Sequence, residues 1–229
     1  MISKILFQKS KNKIDNYLVD MIKSNLLEEW EYKNYVNGDE VKFFTDNPLD
    51  DFPDIIKVFN SIVKQQHKAD LFRYYYLYIN GGVYLDSDAM IHDNITNIIK
   101  EYDFVSILSV VPGTISNHFI ASVPKHPLMY EALKDMYDNN KKVLDLDKNY
   151  FASGKFLYSL ISTNKYENIF LYNELMVDGV GYTYDKDRMC VVKHYPITKI
   201  IPKLDSNQLK PHKVGWTPAT LKKIAYYKK

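Results

Sequence analysis

Lys68 to Asp88 reads KADLFRYYYLYINGGVYLDSD, and this stretch decides the fold. From Ala69 to Ile79 it is apolar apart from Asp70 and Arg73, a pattern that predicts a helix. Those two charges stand three positions apart, so they leave one helix face about a turn from each other. Burying either alone is costly, which predicts that they pair and face a polar cleft. Asn80-Gly81-Gly82 ends the helix, because glycine accepts the positive φ of a helix C-terminus. Val83-Tyr84-Leu85 favours a strand and runs straight into Asp86-Ser87-Asp88. Extended geometry carried through that tripeptide would put both carboxylates on one side. Two carboxylates so close repel unless a proton or cation lies between them. A hard divalent ion with oxygen ligands, Mn²⁺ or Mg²⁺, suits such a site and can bridge a nucleotide diphosphate.

A lone Asp-x-Asp also occurs in loops, turns and calcium sites, whereas the whole stretch is far more specific. Ala-Asp-x-x-Arg, the hydrophobic helix and Gly-Gly-x-Tyr-Leu-Asp-x-Asp follow each other here without interruption. The pattern resembles the DXD-containing sugar transferases of glycosyltransferase family 32, and is similar to the catalytic domain of the large clostridial glucosylating toxins. The resemblance implies an α/β, GT-A-type (Rossmann-like) fold with a mostly parallel sheet flanked by helices. It also implies a nucleotide-sugar donor, UDP-sugar before GDP-mannose, a Mn²⁺ or Mg²⁺ cofactor and retention of anomeric configuration. The acceptor would be a glycan, a lipid-linked sugar or a protein. Asp88 would ligate the metal, and Asp86 would hold the ribose or the metal. Asp70 and Arg73 would hydrogen-bond donor sugar hydroxyls, unless they form only a structural ion pair. Tyr84 would stand beside the diphosphate or pack under the sheet.

Outside this stretch the likeness is looser. Ile5-Leu6-Phe7-Gln8 keeps the family's opening pattern with Ser3 in place of a proline, so Gln8 is a nucleotide contact or an ordinary loop residue. Ser116 to Ala121 resembles a segment whose asparagine, here Asn117, approaches the donor sugar; a turn asparagine is the alternative. Ser153-Gly154 matches the start of a family helix that carries a proline where Lys155 stands here. Near the end, His212 and Trp216 resemble a metal-completing histidine and a tryptophan near the diphosphate, with Gly215 replacing the usual serine.

Composition sets the bounds. At 229 residues, 46% hydrophobic and 25% charged, the chain fits a single globular domain. Its nucleotide-sugar-binding part would span about 1–110 and its acceptor-side part about 111–229. A net charge of +2 gives no reason to expect nucleic-acid binding. Cys190 is the only cysteine, which excludes an intramolecular disulfide and fits a reducing compartment. MISKILFQKSKNK is too short an apolar run for a signal peptide, and no stretch approaches the roughly 20 apolar residues of a membrane span. These features predict a cytoplasmic protein.

In chain order, the spacing predicts a strand over Ile2–Phe7, a helix within Lys13–Glu29 and a strand over Trp30–Val36. Short helices at Val41–Phe44 and Phe52–Val63 precede the pivotal stretch. Beyond it come a helix at Ile95–Lys100, a strand at Phe104–Leu108, and helices at Leu128–Asn139 and Tyr150–Ser162. Short strands at Ile169–Leu171, Gly181–Tyr184 and Cys190–His194 close the pattern. Alternating strands and helices argue for ligands at the carboxyl ends of strands, where Asp86 and Asp88 would lie. Two other functions fit the same residues: a nucleotide-sugar-binding module without turnover, and a metal-dependent nucleotide-sugar hydrolase.

Overall fold

The computed structural model describes residues 1–139, 152–177, 180–184 and 189–194. Within them the order is β1 (Ile5–Lys9), α1 (Asn16–Lys23), β2 (Glu31–Tyr35), α2 (Asp39–Asp46), α3 (Ile55–Ser61), α4 (Gln65–Asn80) and β3 (Gly82–Leu85). Then follow β4 (Ala89–Ile91), α5 (Ile95–Ile99), β5 (Phe104–Leu108), β6 (Ile115–Ser122), α6 (Pro127–Asn139), α7 (Ala152–Ile161), β7 (Ile169–Val177), β8 (Val180–Tyr184) and β9 (Met189–His194). The nine strands described form one sheet in the order β2-β1-β3-β6-β5-β7-β8-β9-β4. Six run in one direction, with β6, β8 and β4 opposed. The expected α/β architecture is therefore present.

Alternation along the strands divides the apolar residues between two faces. Phe7, Tyr84, Phe104 and Ile120 pack with α2, α3, α4, α6 and α7 in one core. Leu6, Val83, Leu85, Val105, Phe119 and Ala121 pack with α1, α5 and β4 in the other. Helix α4 is buried along most of its length, from Asp70 through Leu77. Aromatic rings on that face, Phe7, Tyr35, Phe43, Phe72 and Tyr76, meet mostly edge to face, the arrangement their quadrupoles favour.

Two details shape the region above β3. Gly81 (φ +64°) and Gly82 (φ +97°) both adopt the left-handed region that ends α4. A Cβ on Gly82 would lie 2.6 Å from the Ile5 carbonyl oxygen of β1, so glycine is what lets β3 pair beside β1. The second detail is a slip in the β5–β6 ladder. Val105 faces Ala121, but Ile107 faces Ser116 rather than the Phe119 that an unbroken register would supply. Such irregularities re-aim side chains, and this one falls at Asn117 and His118.

Some boundaries differ from expectation. Gln8 lies inside β1, not in a loop after it. The first predicted helix is shorter, α1 holding only Asn16–Lys23. Chain direction changes at Asp86: the Ala89 amide donates to the Asp86 carbonyl (3.0 Å), closing a turn around Ser87 and Asp88. The two carboxylates are thus related by a turn, not by strand periodicity.

Gly82→Ala is expected to cost about 3 kcal/mol, from left-handed strain plus collision with β1. Urea unfolding should show the midpoint falling accordingly; an unchanged midpoint would contradict the close approach.

Candidate active site

A cavity of about 280 Å³ opens at the carboxyl end of β3, and the residues that line it come from distant parts of the chain. Asp70 and Arg73 arrive from α4, Asp86 from the end of β3, Asn117 and His118 from β6, Ser153 from α7 and Glu174 from β7.

Arg73 is the hub. It is 4% exposed, a buried cation that needs a compensating shell. Its Nη2 lies 3.3 Å from Asp70 Oδ1 and 3.3 Å from Asp86 Oδ1. Its Nη1 donates to the Asn117 carbonyl, and its Nε donates to the Ala69 carbonyl at 3.3 Å. The guanidinium carbon lies 4.1 Å from the Tyr84 ring centre, within cation–π range. Burial disfavours this charge, but Tyr84, Asp86 and Asp70 more than offset it and raise the guanidinium pKa.

Asp70 is satisfied on both oxygens. Ser153 Oγ donates to Oδ2 at 2.8 Å, Asn117 Nδ2 donates to Oδ1 at 3.2 Å, and His67 Nδ1 lies 3.6 Å from Oδ2. Burial pushes the carboxyl upward, yet Arg73, His67 and Ser153 outweigh it and hold the pKa below the ordinary 3.8. Asn117 is locked in turn, accepting from Tyr74 Oη at 3.1 Å and donating to Ser153 Oγ at 3.0 Å.

Asp86 is held from behind. Tyr84 Oη donates to Asp86 Oδ1 at 2.6 Å, Gln8 Nε2 donates to the Asp86 carbonyl at 3.0 Å, and the Asp86 amide donates to the His118 carbonyl at 2.8 Å. Burial drives the Tyr84 phenol well above its ordinary range against the pull of Arg73, so it stays a donor to Asp86. Gln8, fully buried, accepts from Tyr32 Oη at 2.7 Å. It braces the Asp86 backbone from within the sheet. The Asp86 side chain itself stays 25% exposed towards the cavity. Asp88 follows on the turn, partly buried.

Of the residues singled out in the sequence, Asp70, Arg73, Asp86 and Asn117 line the cavity together. Gln8 and Tyr84 stand behind it as supports for Asp86. His212 and Trp216 lie outside the described residues. Sequence reading passed over Glu174 and gave His118 no role for want of metal-ligand spacing, yet both line the cavity. The available signal was Glu174 standing as the lone charge in the strand sequence IFLYNELMV.

Among the described residues no group of three or more His, Cys, Asp and Glu side chains could hold a metal alone. Two carboxylates on one turn nonetheless fit a hard divalent ion that shares its shell with substrate phosphates and water. Among the described residues no helix is long and apolar enough to cross a membrane.

Residues 9–105 match the family described as glycosyltransferase sugar-binding region containing DXD motif. Inositol phosphoceramide mannosyltransferase 1 of Schizosaccharomyces pombe is 28% identical over 135 residues, covering 57% of this chain and 42% of that protein. The mannosyl phosphorylinositol ceramide synthase CSH1 of Saccharomyces cerevisiae is 29% identical over 86 residues, 38% of this chain and 22% of its own. The chain thus spans less than half the length of these curated relatives. Among solved structures, the PaToxG glycosyltransferase superposes with a TM-score of 0.50 at 10% identity, covering 72% of this chain and 70% of that one, a likeness of fold.

Asp70's depressed pKa stabilises the folded state, a contribution fully present above the unfolded carboxylate value and lost as pH falls through the lower folded value. Asp70→Asn should therefore lower the urea midpoint at neutral pH and flatten its decline below pH 3.8 relative to wild type. Parallel acid limbs in the two proteins would contradict the ion-pair assignment.

Proposed function

We propose, for a chain whose residues 9–105 match the DXD-motif glycosyltransferase family, that it transfers a hexose from a nucleotide-sugar to a hydroxyl acceptor. One observation carries this reading: Arg73, buried between Asp70 and Asp86, ties the helix and the first carboxylate of the Asp-x-Asp turn to one cavity.

In this mechanism Asp70 and Arg73 receive the donor sugar. Their charges are already mutually compensated, so sugar hydroxyls meet a fixed set of acceptors and donors that need no reorganisation. Asn117, locked by Tyr74 and Ser153, adds an oriented amide at the same wall. Asp86 and Asp88 would hold Mn²⁺ or Mg²⁺, which when bound neutralises the charge developing on the leaving diphosphate. Tyr84 and Gln8 keep the Asp86 carboxylate and backbone in place for that task. Retention of configuration, with the acceptor entering on the face the diphosphate leaves, belongs to the same proposal.

The donor base is open to two readings. The glucosylating-toxin likeness favours a UDP-sugar, whereas the relative named as a mannosyltransferase favours GDP-mannose. Thermal shift with UDP, GDP and their sugars separates them, since a ligand of the folded state alone raises Tm. The shift is expected with one base only and to require Mn²⁺ or Mg²⁺. No shift with any nucleotide would remove the reading.

Asp88→Ala should keep the wild-type melting temperature without ligand while losing at least about 10²-fold in metal-dependent donor turnover. Wild-type turnover in that variant would reject Asp88 as a ligand. Chelation by EDTA should abolish wild-type turnover, and added Mn²⁺ should restore it.

A further inference from the structure

The donor-side residues account for only part of the cavity wall. Another part is the connection between β5 and β6, Ser109 to Thr114, which reads SVVPGT and carries no charge. Pro112-Gly113 supplies the turn chemistry, with Gly113 at φ +70°. Val110 and Val111 are not turn-forming types, yet both line the cavity. Val110 is 45% exposed, and Met176 of β7, on the same cavity, is 41% exposed. Among the described residues six large hydrophobic side chains are exposed, and these two border one cavity. A single exposed apolar residue needs no explanation, whereas apolar groups gathered at the mouth of a cavity point to a binding surface.

This apolar lip is fixed in place. The Ser109 amide donates to the Thr114 carbonyl at 2.9 Å and closes the loop, and the Val111 amide donates to Ser109 Oγ at 3.2 Å. The Val110 amide donates to Glu174 Oε2 at 3.3 Å, which ties the loop to β7. Glu174 Oε1 lies 3.7 Å from His118 Nδ1, so this buried carboxylate braces the loop against β6 as well. Strand periodicity puts Met176 on the same face of β7 as Glu174, beside the tied loop. Its partner across the β7–β8 ladder is Gly181, which has no side chain to cover it. Polarity therefore changes with depth: Arg73, Ser153 and the Glu174 side chain are buried, whereas Val110 and Met176 reach solvent.

We propose that Val110, Val111 and Met176 determine acceptor specificity, and that the acceptor is an amphiphile whose hydroxyl-bearing head enters the cavity while its aliphatic chain lies on this lip. This acceptor class rests on the glycosyl-transfer reading above and narrows it. A saccharide body is matched by hydrogen-bonding groups and aromatic faces, and three aliphatic side chains offer neither. Hydrocarbon, by contrast, gains from leaving water for such a surface and makes no directional demand on it. The unbranched, polarizable thioether of Met176 suits chains that differ in shape. Val110 and Met176 line the same cavity as Arg73 and Asp86, so one molecule can place its head at the donor wall and its chain on the lip.

The test titrates the full chain calorimetrically with UDP and GDP in Mn²⁺, and then with methyl, hexyl and octyl β-glucosides below their micelle concentrations. Affinity is expected to rise with chain length, octyl glucoside binding at least about 10-fold tighter than methyl glucoside. Val110→Asn and Met176→Gln should each cut that octyl-to-methyl ratio by about 3-fold or more. Both side chains are exposed, so both variants should keep the wild-type melting temperature, and either one suffices for the comparison. Leu27→Asn, at an exposed position outside the cavity wall, should leave the ratio as it is. Equal affinity for methyl and octyl glucoside, or no measurable binding of either, overturns the proposal and leaves a glycan or protein acceptor. A wild-type ratio in both lip variants overturns it too, as does an equal fall in Leu27→Asn, which would mean adsorption without a site. Any of these results in a protein that binds UDP or GDP overturns the acceptor class alone. A protein that binds neither nucleotide overturns the transferase reading, and the acceptor class with it.

Discussion

A buried arginine cannot be placed without a plan for its charge, and most of this site is arranged around that of Arg73. Two carboxylates, two backbone carbonyls and an aromatic face surround the guanidinium. They come from three pieces of the chain: α4 itself, the end of β3, and β6. Removing one would leave the guanidinium undercompensated, and uncompensated charge in a low-dielectric interior costs several kcal/mol. The ion network therefore positions the site as well as stabilising it, because α4, β3 and β6 must all be in register before Arg73 is satisfied. Asp70 extends the same logic to α7 through Ser153. Gly154, whose Cβ would stand 2.3 Å from the Ile115 carbonyl oxygen, lets α7 come close enough to β6 to deliver that hydroxyl.

Around the hub the site divides labour by burial. Gln8, Tyr32, Tyr74 and Tyr84 do not line the cavity; they fix the orientation of groups that do. The phenols suit this because burial keeps them protonated, so each remains a donor at any pH the protein meets. The groups facing the cavity have their hydrogen-bonding capacity already partly used, which narrows the orientations open to them. Rigid polar walls of this kind exact little reorganisation when charge develops beside them.

Much of this was legible in the sequence because the informative residues are local. The helix, glycine break, strand and Asp-x-Asp lie within 21 residues, and periodicity places Asp70 and Arg73 on one face. The turn at Asp86 was misread as extended because a tripeptide of Asp-Ser-Asp is compatible with either, and the deciding bond, Ala89 to Asp86, lies one residue beyond it. Gln8 was placed in a loop because one polar residue after an apolar run looks like an end. Inside the sheet it is tolerated because Tyr32 and Asp86 satisfy its amide. The contact between His118 and Glu174 was out of reach for another reason. His118 and Glu174 are 56 positions apart, and they meet through a register slip that no local pattern announces.

The strand order has a consequence for the birth of the molecule. The matched segment ends at Val105, yet β6 lies between β3 and β5, both of which precede it in the chain. A nascent polypeptide released only as far as β5 has two sheet edges with no partner to join them. Closing that gap waits on the stretch to Ser122, and joining β7 to β5 waits on residues beyond 168. Sheet assembly is thus weighted towards late, long-range pairings, which fold slowly and expose strand edges in the meantime. The segment that carries the signature therefore cannot close its own sheet, and its unpaired edges stay open to chaperones until the residues after it emerge.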